Sequence, residues 1–172
     1  APHGISLRDV IYEHAGGIRN GNKLKGVIPG GSSCPVLKAD EIDVGMDFDS
    51  MKAAGTMFGT GGVIVMDETT SIVRMAARTA HFYHHESCGQ CTPCREGTGW
   101  VERIITDIAE GRGKQEDLQL LMDVCNNVQG NTICALGDAM AMPIRSFLVK
   151  FPEEFQRAID EGGAPLSFPA GG

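Results

Sequence analysis

Three cysteines at a strict spacing are the residues of this sequence best suited to chemistry. Cys88, Cys91 and Cys94 stand within seven positions, with two residues between successive thiols. Three thiols this close together predict a loop that binds a metal or a metal cluster, and they leave one corner of a four-coordinate site open. Cys134, in the stretch GNTICALG, is the best candidate for the fourth ligand.

Three thiols plus a distant fourth favour a 4Fe-4S cluster. A loop that supplies three thiolates, with a fourth from elsewhere, recurs in proteins whose cysteines each bind one iron of a cuboidal cluster. Structural zinc sites more often take two ligand pairs from separate knuckles. Zinc held by the same four thiols stays an alternative. In a second form of that alternative, one of three neighbouring histidines replaces Cys134, namely His81, His84 or His85.

Two other functional interpretations of the cysteines have less support from the sequence. A thioredoxin-like pair of Cys88 and Cys91 would need a βαβ context, whereas both flanks of this segment predict helices. Cys34 lies in a turn, and Cys125 lies in an inward-facing helical stripe. We therefore expect these two to be small buried residues rather than ligands.

Composition excludes several classes of partner. The chain has a formal net charge of -7 and ordinary hydrophobic (42%) and charged (22%) fractions. Nucleic acid and anionic membrane surfaces both need a basic patch, so neither is expected as a partner. No apolar run approaches the ~20 residues of a membrane span, so direct membrane insertion is not expected either. Closely spaced metal-binding cysteines indicate a reducing compartment, such as the cytosol or the mitochondrial matrix.

The first part of the chain predicts a small unit of strands and short helices. Ser6 is a plausible N-cap for a helix over 7–15, which Gly16 and Gly17 end. Apolar runs predict strands over 23–28 and 63–66, and we expect the latter strand to be central and buried. A short extended piece is expected at 35–37 and helical turns at 48–54. The glycines at 59–62 precede a strand instead of following one, which argues against a nucleotide-binding loop.

The second part predicts a bundle of four helices. Apolar residues at helical spacing indicate helices over about 70–85, from the cysteine loop to Gly111, over 115–128, and from Cys134 to Phe151. Pro143 should kink or restart the fourth helix, and a last turn is expected around Phe155 and Ile159. Cys94 should directly precede the second helix and Cys134 should open the fourth. Backbone amides at both helix starts would then face an anionic cluster, with Arg95 and Arg145 as nearby positive charges.

At these residues the sequence closely resembles the C-terminal half of the flavoprotein (NADH-binding) subunit of respiratory NADH:quinone oxidoreductase, complex I. The resemblance runs from about Ser6 to Phe155. It rests on four segments, which are ESCGQCTPCREG at 86–97, TICALGD at 132–138, IPGGSS at 28–33 and VIVMD at 63–67.

The resemblance implies a fold, a cofactor and an activity. It implies an α+β fold with a partial β-grasp domain (soluble-ligand-binding type) over 1–68, a four-helix bundle over 69–161 and a Gly/Pro-rich tail over 162–172. Cys88, Cys91, Cys94 and Cys134 would hold the 4Fe-4S cluster that takes single electrons from FMN reduced by NADH. The glycine-rich flavin and nucleotide segments of the family have no counterpart here, so the FMN and NADH sites are expected to lie outside this chain.

The resemblance also implies partners and a location. Expected partners are the other iron-sulfur subunits of the peripheral arm and the flavin domain of the same subunit. The expected place is peripheral, on the cytoplasmic side of a bacterial inner membrane or the matrix side of the mitochondrial one. The equivalent subunit of an NAD-linked hydrogenase or formate dehydrogenase stays an alternative, as does a zinc-stapled interaction module without redox activity.

Overall fold

The computed structural model describes residues 4–166, and the chain divides after Thr70 into two compact units. The first unit contains a three-stranded sheet with short helices, and the second contains the long helices. The predicted mixture of helix and sheet is therefore confirmed. The end of the predicted tail, from residue 167 on, lies outside the described residues.

The sheet of the first unit is antiparallel. It consists of β1 (Leu24–Ile28), β2 (Leu37–Lys38) and β3 (Ile64–Asp67), in the order β2-β1-β3. The central strand is therefore β1, and the expectation of a central, buried strand at 63–66 is wrong. Met66 is buried but Val65 is 41% exposed, because β3 lies at the edge and turns one face to solvent. An uninterrupted apolar run did not reveal that alternation.

Short helices complete the first unit. Ser6 caps α1 (Leu7–Asp9) as predicted, since its Oγ accepts a hydrogen bond from the backbone N–H of Arg8 at 3.1 Å. The helix expected over 7–15 is present, but from Val10 on it continues as a π-helix (Val10–His14), which ends with Ala15 N–H bound to Val10 O. The wider turn leads into Gly16 and Gly17, which adopt positive φ angles.

Three more short helices belong to this unit. They are two 3-10 turns (Arg19–Gly21 and Ala39–Glu41) and α2 (Phe48–Ala53), which Asp47 caps through the N–H of Ser50 at 2.8 Å. The core between sheet and helices includes five fully buried side chains, Leu7, Ile11, Val27, Leu37 and Met51.

A carboxylate fixes the turn that ends β3. Asp67 accepts hydrogen bonds from Asn22 Nδ2 at 2.9 Å, from Thr69 Oγ1 at 2.7 Å and from Thr70 Oγ1 at 3.1 Å. These donors, Asn22 first, lower the pKa of Asp67 to about 2. The charged carboxylate therefore connects Asn22, which precedes β1, to the end of β3.

The second unit consists of five helices within the described residues. They are α3 (Ile72–His85), α4 (Thr92–Ala109), α5 (Glu116–Val128), α6 (Leu136–Lys150) and α7 (Pro152–Asp160). Helix α3 packs against α4, α6 and α7, and α5 packs against α4 and α6. Their shared core contains Ile105, Ile108, Phe147 and Phe155, which are fully buried. The last helix is longer than the single turn predicted for it.

Two prolines lie inside helices of this unit. Helix α4 begins at Thr92, so Cys94 lies inside its first turn instead of preceding it. Pro93 fits there because a first-turn residue has no N–H partner to lose and needs the φ angle that proline already has. Helix α6 begins at Leu136, two residues after Cys134, and runs through Pro143 as one helix. Buried packing of Met140, Ala141, Ile144 and Phe147 outweighs the hydrogen bond that Pro143 cannot make.

Across residues 4–166 no helix combines the length and the apolar character needed to cross a membrane.

Candidate metal centre

Two loops of the second unit carry the predicted ligands. Residues 86–91 connect α3 to α4 and contain Cys88 and Cys91, and Cys94 follows in the first turn of α4. Residues 129–135 connect α5 to α6 and contain Cys134. Because α5 packs against both α4 and α6, the packing of these helices determines how the two loops meet.

Val128, the last residue of α5, lies between the two cysteine-bearing segments. A Cβ atom on Gly97 would lie 2.4 Å from Val128 Cγ2, and a Cβ atom on Gly137 would lie 3.0 Å from Val128 Cγ1. Gly97 follows Cys94 by one turn of α4, and Gly137 is in the first turn of α6 beyond Cys134. The absence of two side chains therefore allows both segments to approach the same valine.

The structure brings the four predicted cysteines near one another. Cys94 is buried, Cys91 is half-buried, and Cys88 and Cys134 are exposed. Burial raises the pKa of the Cys94 thiol, and the neighbouring charges of Cys91, Cys134 and Cys88 raise it further. That mutual electrostatic effect requires all four sulfurs to lie in one neighbourhood.

The two loops come close at Cys91. The backbone amide of Ile133 lowers the pKa of the Cys91 thiol, and the positive charge of Arg95 acts in the same direction. A backbone amide from the Cys134 loop thus stabilises negative charge on a sulfur of the other loop. Sequence reasoning missed this donor, because a backbone N–H has no residue-type signature.

The two arginines noted in the sequence have different surroundings. Arg95 Nη1 donates to the carbonyl of Gly89 at 3.0 Å, which holds the cysteine loop against the start of α4. Arg145 instead donates to the side chain of Gln129 and has a charge interaction with Cys125. The prediction of a charge near the cysteines therefore fits Arg95, whereas the contacts of Arg145 are with residues outside the four cysteines.

A hydroxyl group contacts the buried sulfur. Ser87 Oγ lies 3.2 Å from Cys94 Sγ, and the backbone N–H of Gly89 donates to Ser87 Oγ at 3.3 Å. On the opposite side, Thr98 Oγ1 donates to the backbone carbonyl of Cys94 at 2.7 Å. The sequence analysis did not single out Ser87, because a serine hydroxyl has no sequence signature that shows which sulfur it meets.

The three histidines bind carboxylates. Nδ1 of His81 lies 2.7 Å from Glu102 Oε1, and Nδ1 of His84 contacts the other oxygen of the same carboxylate. Burial alone would raise the pKa of Glu102, but its bonds to the two histidines lower the pKa below its ordinary value. His85 Nδ1 lies 3.0 Å from Glu86. The contacts of His81 and His84 join α3 to α4 and give these two histidines a structural role.

The remaining two cysteines are buried, as predicted. Cys34 and Cys125 are both inaccessible to solvent. Burial raises the pKa of Cys125 to about 12 and also raises the pKa of Cys34. Both thiols stay protonated at neutral pH and are poor ligands.

The four cysteines could bind either a single metal ion or a 4Fe-4S cluster, and the two groups need different arrangements of ligands. Between residues 4 and 166, no three His, Cys, Asp or Glu side chains already surround one point as ligands of a single metal ion would. A 4Fe-4S cluster needs its ligand sulfurs farther apart, because each thiolate binds its own iron and the sulfurs are spread around the cluster. Four neighbouring thiols with an amide and an arginine beside them fit that group in type and in charge.

The comparison with protein families identifies an iron-sulfur region, and related proteins match most of the chain. Residues 74–158 match the family described as the NADH-ubiquinone oxidoreductase-F iron-sulfur binding region. The chain is 51% identical over 165 residues to an F-type subunit (F 2) of the NADH-quinone oxidoreductase of Rhizobium meliloti (strain 1021), covering 96% of this chain and 39% of that protein. It is 50% identical over 158 residues to the F-type subunit of Rickettsia bellii (strain OSU 85-389), covering 91% and 38%. The chain therefore spans about two fifths of the length of the curated relatives it matches.

A solved structure has a similar fold. An NAD+-reducing NiFe-hydrogenase in the H2-reduced state superposes with a TM-score of 0.80 and 25% identity, covering 98% of this chain and 28% of that one. The air-oxidised state of such an enzyme gives a TM-score of 0.81 and 26% identity.

Proposed function

Because this chain belongs to the family of F-type subunits of NADH-quinone oxidoreductase, with its iron-sulfur binding region at 74–158, we propose that it is the electron-transfer part of such a subunit. In this proposal four cysteines, Cys88, Cys91, Cys94 and Cys134, hold a 4Fe-4S cluster. The cluster, when bound, supplies one-electron redox chemistry between FMN reduced by NADH and further clusters. The flavin and NADH sites lie outside this chain.

One observation supports the proposal: Cys94 and Cys134, 40 positions apart in sequence, lie close enough for their charges to interact. The amide of Ile133 in one loop favours negative charge on Cys91 of the other, whereas the charges of three neighbouring cysteines disfavour it on Cys94. Bound iron would compensate the negative charge that four thiolate ligands concentrate at one place. The contacts of Arg95 keep a positive charge beside the same loop.

We also infer the finer architecture of the two units. The antiparallel sheet of the first unit is interpreted as a partial β-grasp domain, and helices α3 to α6 as a four-helix bundle to which α7 is added. The pairwise packing of α3 with α4 and α6, and of α5 with the same two helices, supports the bundle. The proposed division of the chain is 1–68, 69–161 and 162–172.

The partners follow from the relatives. Their names describe one component of NADH-quinone oxidoreductase, so we propose that this chain works beside other iron-sulfur subunits and beside a flavin domain of its own subunit. In that role the subunit would lie at the periphery of the membrane, on its cytoplasmic or matrix side. A second candidate, the equivalent subunit of an NAD-linked hydrogenase, is favoured by the similar fold of the hydrogenase. Identity of 51% against 25% favours the quinone oxidoreductase.

Metal analysis and spectroscopy test the proposed cluster. The purified protein, reconstituted with iron and sulfide under anaerobic conditions, should contain four irons and four acid-labile sulfides per chain in round numbers. The dithionite-reduced protein should give an EPR signal of a reduced 4Fe-4S cluster. Stoichiometric zinc without iron would replace this proposal with the zinc-stapled module.

Two cysteine variants assign the ligands. Cys134→Ala should lose the cluster signal, since it removes one of four ligands. In the full-length subunit it should keep dye reduction by NADH at the flavin but lose electron transfer onward. Cys125→Ala is the matched control, because Cys125 is buried and protonated and should not affect iron content. Equal iron content in the two variants would remove Cys134 from the ligand set.

A further inference from the structure

We propose that Ser87 raises the reduction potential of the bound cluster by donating a hydrogen bond to the sulfur of Cys94. Ser87 is not a ligand in this proposal and acts through Cys94, as a positioning residue. The inference rests on the proposed function, because it needs Cys94 to bind iron of a 4Fe-4S cluster.

The geometry determines which atom donates. Ser87 Oγ lies 3.2 Å from Cys94 Sγ, within reach of a hydrogen bond to sulfur. The backbone N–H of Gly89 donates to the same Oγ at 3.3 Å, so the oxygen already accepts a hydrogen there. A cysteine sulfur bound to iron carries no hydrogen and can only accept. With Cys94 as a ligand, the hydroxyl hydrogen of Ser87 is therefore the one shared with the sulfur.

Burial makes this contact more important than a similar one at the surface. Cys94 is 5% exposed, whereas Cys88 and Cys134 are exposed to solvent. Water can donate to an exposed thiolate if a protein donor is removed, but it has little access to the Cys94 sulfur. A hydrogen bond in these less polar surroundings is also electrostatically stronger than the same bond in water.

The direction of the effect follows from charge. Reduction adds one electron to a cluster that already carries net negative charge with its four thiolates. A hydroxyl donor stabilises the more negative, reduced state more than the oxidised one, and hydrogen bonds to ligand sulfurs raise iron-sulfur potentials for this reason. Removal of the Ser87 hydroxyl should therefore make the cluster harder to reduce.

An EPR-monitored redox titration of the full-length reconstituted protein tests this, with Ser87→Ala as the variant. We expect its midpoint potential to become more negative, with the equilibrium constant for accepting an electron reduced about threefold to tenfold, where tenfold corresponds to about 59 mV for one electron. Ser87→Thr keeps a hydroxyl and should stay close to the parent.

Thr98→Val is the matched control. Thr98 is fully buried and its hydroxyl also bonds to Cys94, but to the backbone carbonyl and not to the sulfur. We expect this variant to lower stability and leave the midpoint potential unchanged. An unchanged potential in Ser87→Ala, or an equal shift in Thr98→Val, would overturn the role of Ser87 while the cluster signal left the proposed function intact.

A second measurement decides the question if Ser87→Ala does not take up a cluster. Resonance Raman spectra of the parent protein in H2O and D2O should show a shift of Fe–S stretching bands, since the Ser87 hydroxyl hydrogen exchanges. The shift should persist unchanged in Thr98→Val and decrease in Ser87→Gly. Bands that do not respond to exchange overturn the inference, and a parent protein without any cluster overturns it together with the proposed function.

Discussion

At the scale of single residues, the candidate ligands are distinguished by their surroundings more than by their chemical type. Cys94 is enclosed by the first turn of α4 and by Ser87, whereas Cys88 and Cys134 reach solvent. Iron and sulfide could therefore approach the exposed sulfurs first, and the sulfur of Cys94 is the one whose properties depend most on protein groups.

A prediction at this scale concerns Asp67. Its pKa of about 2 in the folded protein is below the value of about 3.9 in an unfolded chain, so the carboxylate stabilises the fold above about pH 4 and loses this effect as the pH falls towards 2. We expect Asp67→Asn to lower the free energy of unfolding by about 1 kcal/mol at pH 7, because its amide opposes the Asn22 donor. Urea unfolding at pH 7 and pH 2.5 measures this.

The control for that prediction is Asp49→Asn, which changes an exposed acid of α2 in the same unit. It should lower the free energy of unfolding much less at pH 7. A difference between Asp67→Asn and the parent that persisted undiminished at pH 2.5 would contradict the assigned role of the carboxylate.

Residue type and spacing select the four cysteines as ligands, which stays a prediction, and they also predicted that Cys34 and Cys125 are buried, which is confirmed. They were insufficient for Ser87 and for the Ile133 amide. A serine hydroxyl and a backbone N–H occur throughout any chain, and only the fold determines which of them meets a sulfur.

At the scale of helices, the contact of α4 and α6 with the end of α5 determines the separation of the two cysteine segments. Gly97 and Gly137 both lie against Val128, which is 2% exposed. A methyl group at Gly97 would push α4 away from α5, whereas a methyl group at Gly137 would first meet the side chain of Thr132, at 2.5 Å.

Gly97→Ala tests that contact. The added Cβ would lie 2.4 Å from Val128 Cγ2, so we expect a loss of about 1–3 kcal/mol in the free energy of unfolding and a weaker cluster EPR signal. Gly99→Ala is the control on the same helix. Its Cβ would meet the ring of His84 at 3.1 Å, a side chain 47% exposed and able to shift, so alanine should gain up to about 1 kcal/mol there. Equal unfolding curves for the two variants in urea would refute the predicted clash with Val128.

The helices themselves were largely predictable. The period of apolar residues gave helices over about 70–85 and 115–128, and the structure has Ile72–His85 and Glu116–Val128. The errors arose where local rules compete with packing. Helix α4 begins before Cys94, α6 does not restart at Pro143, and β3 lies at an edge because the order of strands is a tertiary property.

At the scale of the whole molecule, all four candidate ligands belong to the unit that begins at Ser71. We expect a fragment of residues 71–172 to fold and to take up iron and sulfide in the same ratio as the full chain, because its helices pack on each other. Circular dichroism and iron analysis measure this. The fragment 1–70, whose only cysteine is Cys34, is the control without the site. A helical 71–172 fragment that bound no iron would show that the first unit is needed.

The separation of the two loops along the chain also has a consequence for the order of synthesis. Cys134 follows Cys94 by 40 residues, which a ribosome adds in roughly 2–8 s at about 5–20 residues per second. During that interval three thiols of an unfinished site leave the ribosome without their fourth partner and without α5, against which both loops are placed. Insertion of the proposed cluster must therefore wait until the growing chain has passed Cys134. Until then the three free thiols can be oxidised or can bind another metal.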